Sequence, residues 1–283
     1  MSKVIACIDT FNHTAETVCD YAAWSSLQMQ APLVILHILE KAEKPAKANL
    51  SGNIGLGTRE HLLDELSQLD EQRSKIIKEQ GRLMLQDAKQ RVADTGIDTA
   101  ETLQLHGDLI ESLSEQEDDI RLLVMGREGS HENSASHIGT HLESVIRTMH
   151  RPMLITMGDF KVPERFLIAY DGSATTNKVV NMVASSPLFK GIPCTLLTIG
   201  ADTNTLREEL KAAASKLEKA GFEVTQEIRA GDVDKVINAT VTELNIDLLV
   251  MGAYGHSRIR QFLVGSTTTK LLQNSQIPVL LLR

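Results

Sequence analysis

The sequence predicts an α/β protein built twice over: two tandem domains, each a five-stranded parallel sheet flanked by helices. The first observation behind this is alternation. Short apolar runs alternate with helical stretches along the chain, and strands nearly continuous in apolar residues belong to parallel sheets covered on both faces. The second is a repeated run, LLVMG, at 122–126 and again at 248–252. The third is a repeated spacing after each run: GREGSHENSASHIGT at 126–140 and GAYGHSRIRQFLVGS at 252–266, both Gly-x2-Gly-x9-Gly followed by Thr or Ser.

The second half reads clearly. Arg165–Tyr170 is an apolar strand ending at Asp171-Gly172-Ser173, and a helix follows from Thr175 to Ser186. Cys194–Ile199 is the second strand. Thr203 to Ala220 is a helix whose Leu206, Leu210, Ala213, Ala214 and Leu217 share a face, with Gly221 as its stop. Glu223–Ile228 alternates as a third strand, Val233–Leu244 is a helix, and Asp247–Met251 is the fourth strand. The glycine loop leads into a helix from about Gly265 to Asn274, and Pro278 precedes the last strand, Val279–Leu282.

The first half repeats the order. Lys3–Ile8 leads to Asp9 as the later strand leads to Asp171, Leu33–Leu39 matches the second strand, and Arg151-Pro152 matches Ile277-Pro278. The offset between copies is 162 at the first strand and 126 at the glycine loop, so copy one carries 36 extra residues. They fall at about 41–80, beginning polar and ending strongly helical; the opening is a candidate mobile loop, and the rest extends the second helix to about Asp94. The expected domains are 1–157 and 164–283, joined by a linker short enough to favour packing of one on the other.

Composition narrows the function. A net charge of −8 repels phosphate backbones, and 4% aromatic residues offer few stacking surfaces, so nucleic acid is not an expected partner. The charge itself is read as solubility. Cys7, Cys19 and Cys194 lack CxxC spacing and read as buried thiols in a reducing compartment. The chain opens directly into a strand, without a signal-peptide or lipidation pattern, and no apolar run approaches a membrane span. A cytoplasmic protein with no membrane partner is expected.

In an open parallel sheet a ligand binds beyond the carboxyl ends of the strands, where strand order reverses. With order 3-2-1-4-5, that point lies between strands one and four, bringing Asp171 to Gly252. Asp171 can accept hydrogen bonds from a ribose or base, and Ile199 can wall an adenine. Gly252 and Gly255 give room for sugar and phosphates. Ser266, Thr267 and Thr268 offer hydroxyls and amides at a helix start, the positive end of its dipole. His256, Arg258 and Arg260 can reach outer phosphates. A Gly-x-x-Gly alone is most often a turn, and a strand-end Asp more often caps a helix than binds a ligand; the combination, occurring twice, is the stronger signal.

Gly252-x2-Gly255-x9-Gly265-Ser266, after LLVMG and with Asp171 ending the first strand, resembles the ATP-binding type of universal stress protein domain, and the resemblance covers the chain as two copies apart from the insert. It implies Rossmann-like domains of the adenine nucleotide alpha hydrolase kind, with strand order 3-2-1-4-5. It implies ATP, ADP or AMP at the loops, often with Mg²⁺, and pairing of domains through their last strands; homodimer formation is left open. Carried over by position, the ligand contacts are Asp171, Ile199, Met251, Gly252, Gly255, Gly265, Ser266, Thr267 and Thr268. A weaker second site comprises Asp9, Ile38, Gly126, Gly129, Gly139 and Thr140. Copy one departs from the pattern: His141 and Leu142 stand where copy two has Thr267 and Thr268, and the loop carries Glu132, so copy two is the better anion site.

Eight of the nine histidines lie in copy one, and His137 and His141 are four apart, a spacing that can hold zinc. No carboxylate or cysteine completes a set by sequence, so surface histidines are preferred and no metal ligand is assigned, although His13, His37 and His106, read as strand ends, can gather with the pair. The leading function is a nucleotide-dependent binding or signalling module in a stress response, acting on an unknown protein partner. A slow Mg²⁺-dependent ATP hydrolase ranks second, since there is no GxxxxGK[ST] loop and no assigned catalytic residue. A Rossmann oxidoreductase ranks third, because DGSATT and DTFNHT follow the first strands instead of GxGxxG.

Overall fold

A computed structural model of the chain describes residues 2–9, 12–39, 56–127, 140–253 and 266–283, with the backbone alone for 56–64, 140, 266 and 267. The first half runs β1 (Lys3–Cys7), α1 (His13–Met29), β2 (Leu33–Leu39), α2 (Leu56–Asp94), β3 (Glu101–His106), α3 (Leu109–Glu115), β4 (Ile120–Gly126), α4 (Thr140–Thr148) and β5 (Met153–Thr156). The second runs β6 (Phe166–Ala169), α5 (Ala174–Ser185), β7 (Cys194–Ile199), α6 (Asn204–Lys219), β8 (Val224–Arg229), α7 (Val233–Glu243), β9 (Leu248–Gly252), α8 (Ser266–Asn274) and β10 (Val279–Leu282). Residues 40–55, the opening of the expected insert, lie outside the described residues.

Side-chain caps fix where the helices begin. Asn12, Asp108, Ser173 and Thr203 each accept from a backbone N–H in the first turn of α1, α3, α5 and α6, satisfying donors that the helix itself leaves unpaired. Gly221, at a φ of 94°, follows α6 as its spacing predicts.

Strand alternation builds two apolar layers, one on each face of the sheet. Val4, Ala6, Leu33, Ile35, Leu122 and Val124 pack with α1, α2, α5 and α6. Their neighbours Ile5, Cys7, Val34, Leu36, Leu123 and Met125 pack on the other face with α3, α4, α7 and α8.

The expected pairing of the domains through their last strands joins the two five-stranded units into a single ten-stranded sheet, in the order β3-β2-β1-β4-β5-β10-β9-β6-β7-β8. Within each half the order is 3-2-1-4-5 and the strands are parallel; β5 and β10 join the halves as an antiparallel pair, with Leu154 opposite Leu280. An unpaired β5 or β10 would expose a row of N–H and C=O groups, and pairing them removes that cost.

Two arginines fasten this junction. Arg127, just past β4, donates from Nη1 to the carbonyl oxygens of Ser275 (2.8 Å), Leu272 (3.4 Å) and Gln273 (3.4 Å) at the end of α8. Arg283, just past β10, donates to Arg147 O and Met149 O at the end of α4, both at 3.1 Å. Each half therefore sends a cation to the negative end of the other half's last helix. The connecting segment is pinned as well. Phe160 packs edge-on against Tyr21 at 4.8 Å, and Asp247 accepts from the backbone N–H of Glu164 (2.9 Å) and Arg165 (3.1 Å).

Two outcomes are expected. Arg127→Ala lowers stability by about 1–2 kcal/mol by uncapping α8, read as a lower urea midpoint with unchanged m-value; an unmoved midpoint means water replaces the guanidinium at no cost. Cys7, Cys19 and Cys194 are all buried. Burial pushes the Cys19 thiol up to about 12, with Asp20 adding to it, and raises Cys194 by desolvation alone. A disulfide reagent at pH 8 should therefore find essentially no reactive thiol in the native protein and all three after guanidinium; rapid native labelling would contradict the packing.

Candidate functional site

β6 lies between β7 and β9 and is parallel to both. The chain leaves β6 through α5 towards β7, and leaves β9 in the opposite direction towards β10, so the winding reverses between β6 and β9. Beyond their carboxyl ends is the place where such a sheet opens for a ligand. Half one reverses in the same way between β1 and β4. Because the halves join through an antiparallel pair, their carboxyl ends lie on opposite edges of the ten-stranded sheet.

In the second half Met251 and Gly252 end β9 beside β6, the strand that Asp171 follows, and Ile199 ends β7 on the other side of β6. Asp171 is exposed, and its Oδ1 accepts from Ser173 N (3.0 Å) and Thr176 Oγ1 (2.8 Å). Ser173 Oγ in turn accepts from Thr176 N at 3.2 Å. The carboxylate thus organises the first turn of α5, the structural role weighed for it in sequence. Ile199 is half-buried, a partly open apolar wall. Met251 is buried, as is Thr268 in the first turn of α8.

Gly252 has a packing role beside the one expected for it. A Cβ there would lie 2.8 Å from Thr175 Cγ2, too close for any ordinary contact. Its lack of a side chain lets β9 approach α5, so packing alone requires the glycine. Gly172, with a φ of 75°, directs the turn that places α5, and a Cβ there would meet Glu209. Sequence reasoning missed Thr175 in this role, although DGSATT places it beside the expected carboxylate.

Arg229 was also missed. It closes β8, and its Nη1 donates to Glu243 at 2.6 Å while its Nε donates to Glu227 at 3.3 Å. The guanidinium holds the Glu243 carboxyl below its ordinary range. No local spacing announces this pair, since Glu243 lies at the end of α7.

In the first half Asp9 is exposed, Ile38 is buried, and Gly126 ends β4 beside β1. The neighbourhood differs from that of the second half. His37 is buried on β2, with its Nδ1 2.9 Å from the Ile8 carbonyl, and α2 presses on it: a Cβ at Gly81 would lie 2.8 Å from the ring. His13 opens α1 instead of ending a strand, and its Nε2 lies 2.8 Å from Asp159 Oδ1. Among the described residues no group of three or more His, Cys, Asp or Glu side chains is arranged to hold a metal. Gly129, Gly139, Gly255 and Gly265 lie outside the described residues, as do Glu132, His137, His256, Arg258 and Arg260; so do the side chains of Thr140, Ser266 and Thr267.

A cavity of about 420 Å³, lined by Ser186, Lys190, Gly221 and Phe222 among others, lies near the start of β7, away from these strand ends. Among the described residues no helix is long and apolar enough to cross a membrane.

A doubly wound sheet repeated in tandem, with an acidic residue after the first strand and a glycine ending the fourth strand of each half, defines a tandem α/β protein. Comparison with known sequences makes this specific. The family model described as "Universal stress protein family" matches residues 1–156 and 198–283. The chain belongs to the universal stress protein family. It is 33% identical over 288 residues to universal stress protein Slr1230 of Synechocystis sp., covering 100% of both chains. Among solved structures it is similar to a universal stress protein of Archaeoglobus fulgidus, with TM-score 0.72 and 18% identity over 99% of this chain and 96% of that one. A similar likeness holds to a Pseudomonas aeruginosa protein, with TM-score 0.63 and 15% identity over 100% and 93%. These likenesses show the fold.

The packing role of Gly252 is testable apart from any ligand. Gly252→Ala should cost about 1–3 kcal/mol through overpacking, and Thr175→Ala in the same chain should restore most of it. Equal urea midpoints for wild type and Gly252→Ala would mean that the contact has slack.

Proposed function

We propose that the chain is an adenine-nucleotide-binding module of the stress response, in which the second half holds the principal site and nucleotide occupancy alters what the protein binds. The observation that carries this reading is the reversal between the neighbouring strands β6 and β9, the first followed by Asp171 and the second ending at Gly252, the start of the repeated glycine motif. Family membership supports it. In this reading the base lies against Ile199 and backbone groups at the end of β7, and the ribose lies near Asp171. The phosphates take amides from the loop and from the start of α8, around Gly255, Gly265, Ser266, Thr267 and Thr268. The described residues offer no carboxylate cluster for Mg²⁺, so the cation would travel on the phosphates, as that ion commonly does.

The first half is the weaker site. Asp9, Ile38, Gly126, Gly129, Gly139 and Thr140 keep part of the pattern, but Leu142 is buried at a position where the second half has a hydroxyl. The proposed boundaries are 1–157 and 164–283, and the proposed setting is the cytoplasm.

The test is calorimetric titration with ATP, alongside mass spectrometry of whatever small molecule the denatured protein releases. Gly265→Val should weaken ATP by roughly tenfold or more, about 1.4 kcal/mol, while Gly139→Val leaves the stronger binding event intact. Gly265 is preferred to Gly252 because its substitution is not predicted to disturb the contact with Thr175. Wild-type affinity in Gly265→Val would remove the site from the second half, and released NAD would point to redox chemistry instead.

A further inference from the structure

We propose that the projecting half of α2 binds a second copy of this chain, helix against helix and antiparallel. α2 has 39 residues, whereas α6, its counterpart in the second half, has 16. Its later part is ordinary: Met84, Leu85, Ala88 and Val92 are buried against the sheet. The helix reaches the sheet near Gly81, above His37, where Gln104 Nε2 donates to Lys78 O at 3.2 Å. Every residue from 65 to 80 is exposed.

That exposed stretch carries large apolar side chains in a pattern. Leu66, Leu69, Ile76 and Leu83 are 52%, 58%, 62% and 47% exposed, with Ile77 beside them at 36%. Leu69, Ile76 and Leu83 recur every seven residues, and Leu66 stands three before the first. One heptad position is thus apolar throughout, while its companion position holds Leu66, Arg73 and Gln80, a narrow stripe that a facing helix can cover. A helix without tertiary contacts is marginal in water, so a stretch of this length gains most of its stability from burying a face.

Charge selects the occupant and its direction. Residues 65–71 contain Glu65, Asp70 and Glu71 and no cation; residues 73–82 contain Arg73, Lys75, Lys78 and Arg82 against Glu79 alone. A parallel pair of these helices would set like charge beside like. An antiparallel pair sets the acidic stretch of each copy along the basic stretch of the other, so the surface is complementary to itself. A two-fold axis between residues 72 and 73 places Leu69 of one copy beside Ile76 of the other, and the contact closes as a dimer. The pairs within the helix, Lys75 with Glu71 and Arg82 with Glu79, both at 2.7 Å, are exposed and yield readily to such an exchange.

Sedimentation equilibrium of the full chain should give a dimer, and Leu69→Glu combined with Ile76→Glu should give a monomer that still unfolds cooperatively, with a melt that no longer depends on protein concentration. Leu69→Gln with Ile76→Gln provides the same test without added charge. Orientation is read by oxidation, since the native thiols are buried. Leu69→Cys chains mixed with Ile76→Cys chains should form the cross-chain disulfide. Leu69→Cys alone should not, because two copies of residue 69 would lie about seven residues apart along the pair, beyond disulfide reach. A monomeric wild type, as expected if residues 40–55 or another protein cover the stripe, overturns the proposal. So does a dimer that survives both double substitutions, or self-crosslinking of Leu69→Cys in preference to the mixed pair.

Discussion

The antiparallel contact between β5 and β10 is the constraint on which the rest of the architecture depends. It aligns Met153, Leu154 and Ile155 with Leu281, Leu280 and Val279. Parallel sheets otherwise end in exposed strands, and here each half supplies the edge that the other lacks. The direction of this one pair decides that the two halves run oppositely. It therefore turns the carboxyl ends of their strands in opposite directions and brings the end of each half's fourth or fifth strand within reach of the other half's final helix. Arg127 and Arg283 use that proximity, so the electrostatic fastening follows from the strand pairing.

The halves share a plan and differ in what surrounds the reversal of strand order. In the second half the turn after β6 is rigidly capped, and Gly252 draws α5 close to β9. In the first, α2 bears down on His37, and the helix continues beyond the strand ends. The two edges are thus chemically unequal even though the winding is the same. Asp171 and Gly252 also show that a residue proposed for a ligand can have a part in the fold. Its identity alone does not separate the two demands, because one residue type satisfies both.

Much of this was legible in the sequence. Leu33–Leu39, Cys194–Ile199 and Val279–Leu282 were delimited to the residue, because a buried parallel strand is a short apolar run bounded by turn formers. Strand order within each half was implied by the family resemblance, and the repeated spacing extended it to both halves. The fusion into one sheet was less visible, since β5 and β10 look alike whether they pair in the chain, pair with another molecule or stand alone. The capping role of Asp171 was readable as a local motif. The pairing of Arg229 with Glu243, and the reach of Arg127 to Ser275, were not, because they join groups brought close only by tertiary packing. The seven-residue recurrence in α2 was present in the sequence all along, but only the exposure of that helix gives it meaning.

The segment joining the halves is held by Tyr21 and Asp247, and it tethers β5 to β10 at a high effective concentration. Their union is therefore intramolecular and indifferent to how much of the protein a cell makes. The association proposed through α2 is bimolecular and would rise with abundance. A cell that induces this gene product would leave the internal union as it was while filling the external one, so that dosage itself becomes a signal that one of the molecule's two symmetric contacts can register and the other cannot.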